Sequence, residues 1–93
     1  MPQPTLAQLG AAIRVFRVGR SLSIEALAGE AGLQTSTVSG IELGKGNPTW
    51  KTLSKIVDVL DVEIVDLVRL ALKQRDHGTK PSPTGEEARP AQR

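Results

Sequence analysis

The sequence predicts an all-α fold of five short helices. Apolar residues recur at three- and four-residue intervals in five segments, and glycine, proline or N-capping residues separate these segments. The chain has 93 residues, enough for one domain and too few for a second. It contains no cysteine, one tryptophan, one phenylalanine and no tyrosine, so aliphatic side chains have to form the core.

The first two predicted helices are amphipathic. Helix one is expected over Thr5–Val18, and Gly19 can end it. Helix two follows Ser23, a good N-cap, and Gly32 can close it in the left-handed conformation that glycine tolerates. The apolar stripes of these helices are formed by Leu6, Leu9, Ile13 and Phe16, and by Ile24, Leu27, Ala28 and Ala31.

Helix three has an unusual composition. It is expected over 34–43, from Gln34 until the chain turns at Gly44, and its only strong apolar pair is Val38 and Ile41. Most of its other residues are mediocre or poor helix formers, so packing through that pair has to stabilise the segment. A requirement other than helix propensity therefore selected these residues, which are Thr35, Ser36, Thr37, Ser39 and Gly40.

The last two helices complete a domain that we expect over residues 1–73. Thr49 can cap helix four, whose core face holds Leu53, Ile56, Val57 and Leu60. Helix five is expected over 62–73 and is apolar on more than one face, which leaves one face uncovered after packing within the chain. Residues 74–93 combine proline, glycine and charges of both signs without an apolar period, so we expect a disordered tail.

The charges are polarised along the chain. The formal net charge is +2 and the pI is about 9.4, but the excess of basic groups comes from the tail. Residues 1–57 carry six basic and three acidic side chains, whereas residues 58–72 carry one basic and four acidic. Only residues 1–57 of the domain therefore have a charge balance suited to binding a polyanion.

The composition excludes several classes of function. No apolar run approaches the roughly 18 residues of a membrane span, and the N-terminus lacks a signal-like segment, so we expect a cytoplasmic protein with no membrane partner. Nucleophilic or metal chemistry would need clusters of reactive side chains, yet the single histidine, His77, lies in the predicted tail. We expect no enzyme activity, no catalytic residues, no metal site and no cofactor.

Helices two and three are joined by a tight turn at Gly32, an arrangement that suits double-stranded DNA. The second helix of such a pair can enter the major groove, while the first crosses the backbone and presents its N-terminal amides to phosphate. Helix three is therefore the expected reading helix.

Four stretches resemble, in order and spacing, the phage-repressor helix-turn-helix family (Cro/cI-like, or xenobiotic-response-element, proteins). They lie between Leu9 and Leu72 and read LGAAIRVFR, LSIEALAGEAGL, TVSGIELGKGNPTWKTL and LDVEIVDL. The resemblance implies a five-helix lambda-repressor-like fold. The segments TVSGIE and GNPT look like the controller proteins of restriction–modification systems, although small phage-type repressors share much of this.

The resemblance also implies which residues read bases. Thr35, Ser36, Ser39 and Gly40 occupy the reading positions, where threonine and serine can hydrogen-bond bases or contact a thymine methyl group. Gly40 can only permit a close approach. Gln34 can reach a phosphate or a base, or can face water as a connector residue. The alternative to base reading is that the other four residues are solvated helix positions; these are Thr35, Ser36, Ser39 and Gly40.

The resemblance places Ser23, Lys45, Asn47 and Lys51 against the DNA backbone, where the lysines would supply salt-dependent affinity. Ordinary solvated side chains are the alternative. One departure affects this surface, because the family usually has a phosphate-binding glutamine in the first turn of helix two and this chain has Ile24. We expect Ile24 in the core, with contacts to DNA sugar or to a partner protein as alternatives.

Arg17 and Glu42 match a pair that bridges helix one to helix three in similar proteins. A bidentate contact between them would fix the angle of the reading helix, so the implied role is structural.

The expected function is sequence-specific regulation of transcription, for example as a repressor, by a homodimer on a short palindromic operator. The uncovered face of helix five, on Ile64, Val68 and Leu72, motivates the dimer, since two-fold symmetry doubles the DNA contacts. The acidic end near Asp58–Asp66 would then lie beside the dimer axis. The alternative is a protein-interaction module on the same fold, such as an antitoxin that binds a toxin or another regulator, with DNA binding secondary.

Overall fold

A computed structural model describes residues 3–75. This part of the chain forms five α-helices and no strand, which confirms the all-α prediction. None of the five helices is long and apolar enough to cross a membrane. Apart from Gln74 and Arg75, the predicted tail lies outside the described residues. The helices are α1 (Leu6–Gly19), α2 (Ile24–Ala31), α3 (Thr35–Glu42), α4 (Trp50–Leu60) and α5 (Ile64–Lys73).

Side-chain caps set the starts of three helices. The hydroxyl oxygens of Thr5, Ser23 and Thr49 each accept a hydrogen bond from a backbone N–H three residues later, at 2.9 to 3.1 Å. Each cap satisfies an amide that has no partner within its helix, and such a cap is worth about 1 kcal/mol. Local sequence therefore decides where α1, α2 and α4 begin.

Several helix ends differ from the sequence prediction. Helix five begins at Ile64 and not at residue 62, because Glu63 has an extended backbone and precedes the helix. The reading helix α3 is shorter than 34–43, because Gln34 has an extended backbone and precedes it, and the helix ends before Leu43. Gly44 lies in the turn beyond, with φ +76°. Gly19 is the last residue of α1, as expected, and the chain then turns at Ser21, which has φ 59° and donates its N–H to the Val18 carbonyl at 2.9 Å.

Every helix contributes to one aliphatic core. Burial of one such side chain stabilises the fold by roughly 1.5–3 kcal/mol. One expectation about this core was wrong: Leu6 is 40% exposed, because the inner face of α1 runs through Gly10, Ala12 and Ile13. Ile24 is half-buried and packs against the core, as expected. The largest fully buried side chains are Ile13, Leu27, Val38, Ile56, Leu60 and Leu67.

The packing of α1 organises the domain. It packs against both α5 and α3, while α2 packs against α3 and α4. Gln8 links the start of α1 to the end of α5. Its side-chain oxygen accepts a hydrogen bond from the Thr5 N–H, and its Nε2 donates to the carbonyl oxygen of Gln74, each at 2.9 Å. The reading helix is thus supported by α1 and α2, and its remaining side faces solvent.

Candidate nucleic-acid interface

The outer face of α3 is polar and open to solvent. Its two strongest apolar residues, Val38 and Ile41, are buried in the core and hold the helix against the rest of the domain. The residues expected to read bases are arranged around the other side. Among them Gln34, Thr35 and Ser36 are exposed, and Ser39 and Gly40 are half-buried.

Small side chains on this face expose the helix backbone. A Cβ atom built at Gly40 would meet no other atom within 4 Å, so the space above that residue is empty. Gln34 makes no capping hydrogen bond to the helix that follows it, which leaves its amide group available. The face can therefore approach another surface closely and offers hydroxyl and amide groups to it.

The orientation of α3 is fixed by Arg17. Its Nε donates to Oε2 of Glu42 at 2.6 Å, and its Nη2 donates to Oε1 at 3.0 Å, which makes the contact bidentate. The third nitrogen, Nη1, donates to the carbonyl oxygen of Leu22 at 2.7 Å. One guanidinium group therefore joins α1, the entry to α2 and the end of α3.

The electrostatics of this contact keep Arg17 charged. The hydrogen bond to the Glu42 carboxylate raises the pKa of Arg17, burial lowers it, and the charges of Glu42 and Glu25 raise it again, with a net upward shift. Because both side chains are largely shielded from water, the planar guanidinium fixes both the distance and the angle between the two helices.

Two glycines bring α1 and the end of α3 into backbone contact, and sequence reasoning did not assign them this role. A Cβ at Gly10 would collide with the carbonyl oxygen of Ile41, and a Cβ at Gly44 would lie 2.8 Å from the Cα of Ala7. Both contacts require the absence of a side chain. The only sequence signature was the small-residue pattern around Gly10 in helix one.

The residues predicted to meet the DNA backbone flank the reading helix. Ser23 lies at the start of α2, where its Oγ accepts from the Ala26 N–H at 2.9 Å and its hydroxyl hydrogen stays free to donate. Beyond α3, in the following turn and the first turn of α4, Lys45, Asn47 and Lys51 are exposed. Within residues 3–75 neither lysine forms an ion pair.

A small recess lies between helix one and the reading helix. It has a volume of about 200 Å³. It brings Ser39 of the reading face together with Ile24 at the first turn of α2 and with the Arg17–Glu42 pair. Arg14 and Leu43 complete its lining, and the sequence prediction had singled out neither of them.

The chemistry available at this site is recognition. Across residues 3–75, no group of three or more histidine, cysteine, aspartate or glutamate residues is arranged to hold a metal ion. The site instead offers hydroxyl groups, amide groups, helix N-termini and lysines, which are the groups that proteins use to contact base edges and phosphates.

Comparison with known proteins agrees with this geometry. A helix-turn-helix family model matches residues 13–67, which is more than half of the chain. No curated protein sequence matches the chain. The matched segment contains α2, α3 and α4 and both residues of the Arg17–Glu42 pair.

Three solved structures have a similar fold. The clp gene regulator ClgR from C. glutamicum has a TM-score of 0.72 at 26% identity, with 77% of this chain and 94% of that chain covered. The restriction-modification controller protein C.AhdI from Aeromonas hydrophila has a TM-score of 0.66 at 35% identity, covering 67% and 94%. The wild-type restriction-modification controller protein C.Esp1396I has a TM-score of 0.67 at 29% identity, covering 73% and 90%.

Proposed function

Because this chain belongs to the Cro/cI-like helix-turn-helix family of DNA-binding transcriptional regulators, we propose that it acts as a homodimer on a short palindromic operator. The observation that carries the proposal is the open polar face of α3, which the Arg17–Glu42 pair and the buried Val38 and Ile41 hold in one orientation. A rigid helix with a free polar face is what major-groove readout requires.

The proposed base readers are the small polar residues of that face. Thr35 and Ser36, at the N-terminal end of α3, are exposed, and the N-terminal residues of a reading helix are those that meet base edges. Ser39 lies one turn further on, and Gly40 lets the helix backbone come close to the DNA. Gln34 supplies the longest donor and acceptor group at this end.

The proposed backbone contacts lie on both sides of the reading helix. The hydroxyl of Ser23 and the N-terminal amides of α2 would meet one phosphate strand, and Lys45, Asn47 and Lys51 would meet the other side of the groove. These contacts position the protein and supply salt-dependent affinity without reading sequence.

Dimerisation is proposed through the outer face of α5. Val65 is 52% exposed and Leu72 is 42% exposed, and with Val68 they lie at helical spacing on one side. Ile64 packs partly against the core, so Val65 is more available to a second copy. Two antiparallel copies of α5 would place Asp66, in the first turn, near Lys73, in the last turn of the other copy.

The proposal is tested by selecting binding sites from random duplex DNA with the purified chain. We expect a palindrome whose half-site centres are about 10 base pairs apart, and a saturable gel shift of that duplex that resists competitor DNA. Failure to recover any preferred sequence, with only competitor-sensitive binding, would overturn the proposal.

Two variants separate readout from backbone contact in the same assay. Replacing Thr35 and Ser36 together by alanine should change or relax the recovered half-site. Lys51→Ala should recover the original half-site with weaker binding, and the slope of log affinity against log salt should fall in magnitude by about 0.9, as expected for one phosphate contact.

The descriptions of the similar structures favour two versions of the regulatory role. One is named as a gene regulator and two are named as restriction-modification controller proteins. A role as a gene regulator follows the first description, and a controller-like role in a restriction–modification system is the narrower version that the 35% identity to C.AhdI favours.

The antitoxin alternative has no comparable support. Neither the helix-turn-helix family match nor the descriptions of the similar structures name a toxin partner. Regulation through DNA therefore remains the function that the geometry supports best.

A further inference from the structure

Arg14 is a cation next to the reading helix, and its side chain forms no ion pair within residues 3–75. It is exposed and lines the small recess between helix one and α3. It forms neither an ion pair nor a side-chain hydrogen bond with the rest of residues 3–75, whereas Arg17 in the same recess donates to Glu42 and to the Leu22 carbonyl. Within residues 3–75, the guanidinium group of Arg14 therefore has all its donors free, whereas that of Arg17 does not.

The recess lies where a helix-turn-helix meets the DNA backbone. One side is the first turn of α2, whose leading amides, those of Ile24 and Glu25, have no acceptor within the helix. The opposite side is Ser39 of the reading face. The first helix of such a pair crosses the phosphate backbone, so a phosphate bound there would lie over this recess.

The side chain at the first turn of α2 cannot bind that phosphate. Ile24 has no donor group, and the next residue, Glu25, is exposed and negatively charged. The negative charge of Glu42 is neutralised by its ion pair with Arg17. The negative charge of Glu25 also acts on Arg17 and would repel a phosphate bound there. Without Arg14 the local charge would be negative, and with Arg14 it is balanced.

We propose that the guanidinium group of Arg14 binds a DNA backbone phosphate over this recess and supplies from α1 the contact that Ile24 cannot make. The inference rests on the proposed function, since it requires that the chain bind duplex DNA through α3. A guanidinium group can contact two oxygens of one phosphate at once, so the contact would also fix the register of α2 on the backbone.

The test measures affinity for the selected operator duplex at several salt concentrations. Arg14→Gln keeps a long polar side chain and removes the charge. Its slope of log affinity against log salt should be smaller in magnitude than that of the unmodified chain by about 0.9, with an unchanged sequence preference. Arg20→Gln is the matched control, because Arg20 is exposed, follows the same helix and lies outside the recess. Its slope should not change.

A second pair of variants separates phosphate binding from an effect on folding. Ile24→Gln places a donor at the first turn of α2, so in that background Arg14→Gln should cost less affinity than it does alone. The inference would be overturned, with specific binding intact, if the salt slope of Arg14→Gln equalled that of the unmodified chain. Equal losses of operator affinity in the Arg14 and Arg20 variants would overturn it as well. Absence of specific binding by the unmodified chain would instead overturn the proposed function.

Discussion

Arg17 and Glu42 connect the first helix to the reading helix through two hydrogen bonds of 2.6 and 3.0 Å, with only 11% and 5% of their side chains exposed. The same arginine donates to the Leu22 carbonyl at 2.7 Å and so also holds the start of the second helix. The two helices of the DNA-binding unit are therefore oriented by one side chain that belongs to neither of them.

Breaking this pair should destabilise the domain. Arg17→Ala leaves the Glu42 carboxylate without its partner in a shielded place, and loss of one member of such a pair costs about 3 kcal/mol. Glu42→Gln should have a similar effect. Urea denaturation followed by circular dichroism measures both, and the exchanged pair Arg17→Glu with Glu42→Arg should recover part of the loss. Fully additive effects of the two exchanges would show that the residues act independently.

The charge of Arg17 should also be insensitive to pH near neutrality. The Glu42 hydrogen bond raises the pKa of Arg17 in the folded state. A raised pKa gives a contribution that is fully present below the unfolded value and is lost only as pH rises through the folded value. Strong alkali, rather than any pH near neutrality, is therefore the condition under which Arg17 loses its charge.

Gly10→Ala should destabilise the domain, because the new methyl group would collide with the Ile41 carbonyl oxygen and force α1 and α3 apart. Overpacking of this kind costs about 1–3 kcal/mol. Gly29→Ala is the control, since Gly29 is an exposed helical residue with open space around it, and it should stabilise by about 0.5–1 kcal/mol. Urea midpoints that move in the same direction for both variants would contradict this account of Gly10.

Gly40→Ala should separate stability from DNA affinity. Gly40 lies inside α3 with no atom near its missing Cβ, so alanine should stabilise the helix by about 0.5–1 kcal/mol. The same methyl group would stand between the helix backbone and the DNA, so operator affinity should fall. The thermal midpoint and a fluorescence titration measure the two effects. An affinity that rises with stability would show that Gly40 does not face DNA.

Val65→Lys should weaken the proposed dimer, because two-fold symmetry would bury the introduced charge twice. Sedimentation equilibrium should show a dissociation constant raised by at least about tenfold, which corresponds to 1.4 kcal/mol. Val15→Lys is the control, since Val15 is similarly exposed but lies on α1. A monomeric unmodified chain at micromolar concentration, or an equal effect of the two lysines, would contradict dimerisation through α5.

The sequence predicted the helices well because their features are local. Capping by Thr5, Ser23 and Thr49 depends on a hydroxyl group and an amide three residues away, and burial of Val38 and Ile41 follows from their spacing. The errors concern non-local context. Leu6 belongs to the apolar period of its helix, yet it is 40% exposed, because the buried face of α1 runs through Gly10, Ala12 and Ile13.

By itself, the sequence determined that residues 3–75 form five helices, which of their faces are apolar and that the third helix carries a small polar surface. Only the tertiary structure decided how that surface is presented. Three features depend on residues that are distant in sequence. They are the close approach of α1 to the end of α3 at Gly10, the contact of Arg17 with both Glu42 and Leu22, and the recess that Arg14 lines. The apolar period of a helix indicates which of its sides is buried. Which helix packs against that side, and at what angle, depends on the shapes of the packed side chains.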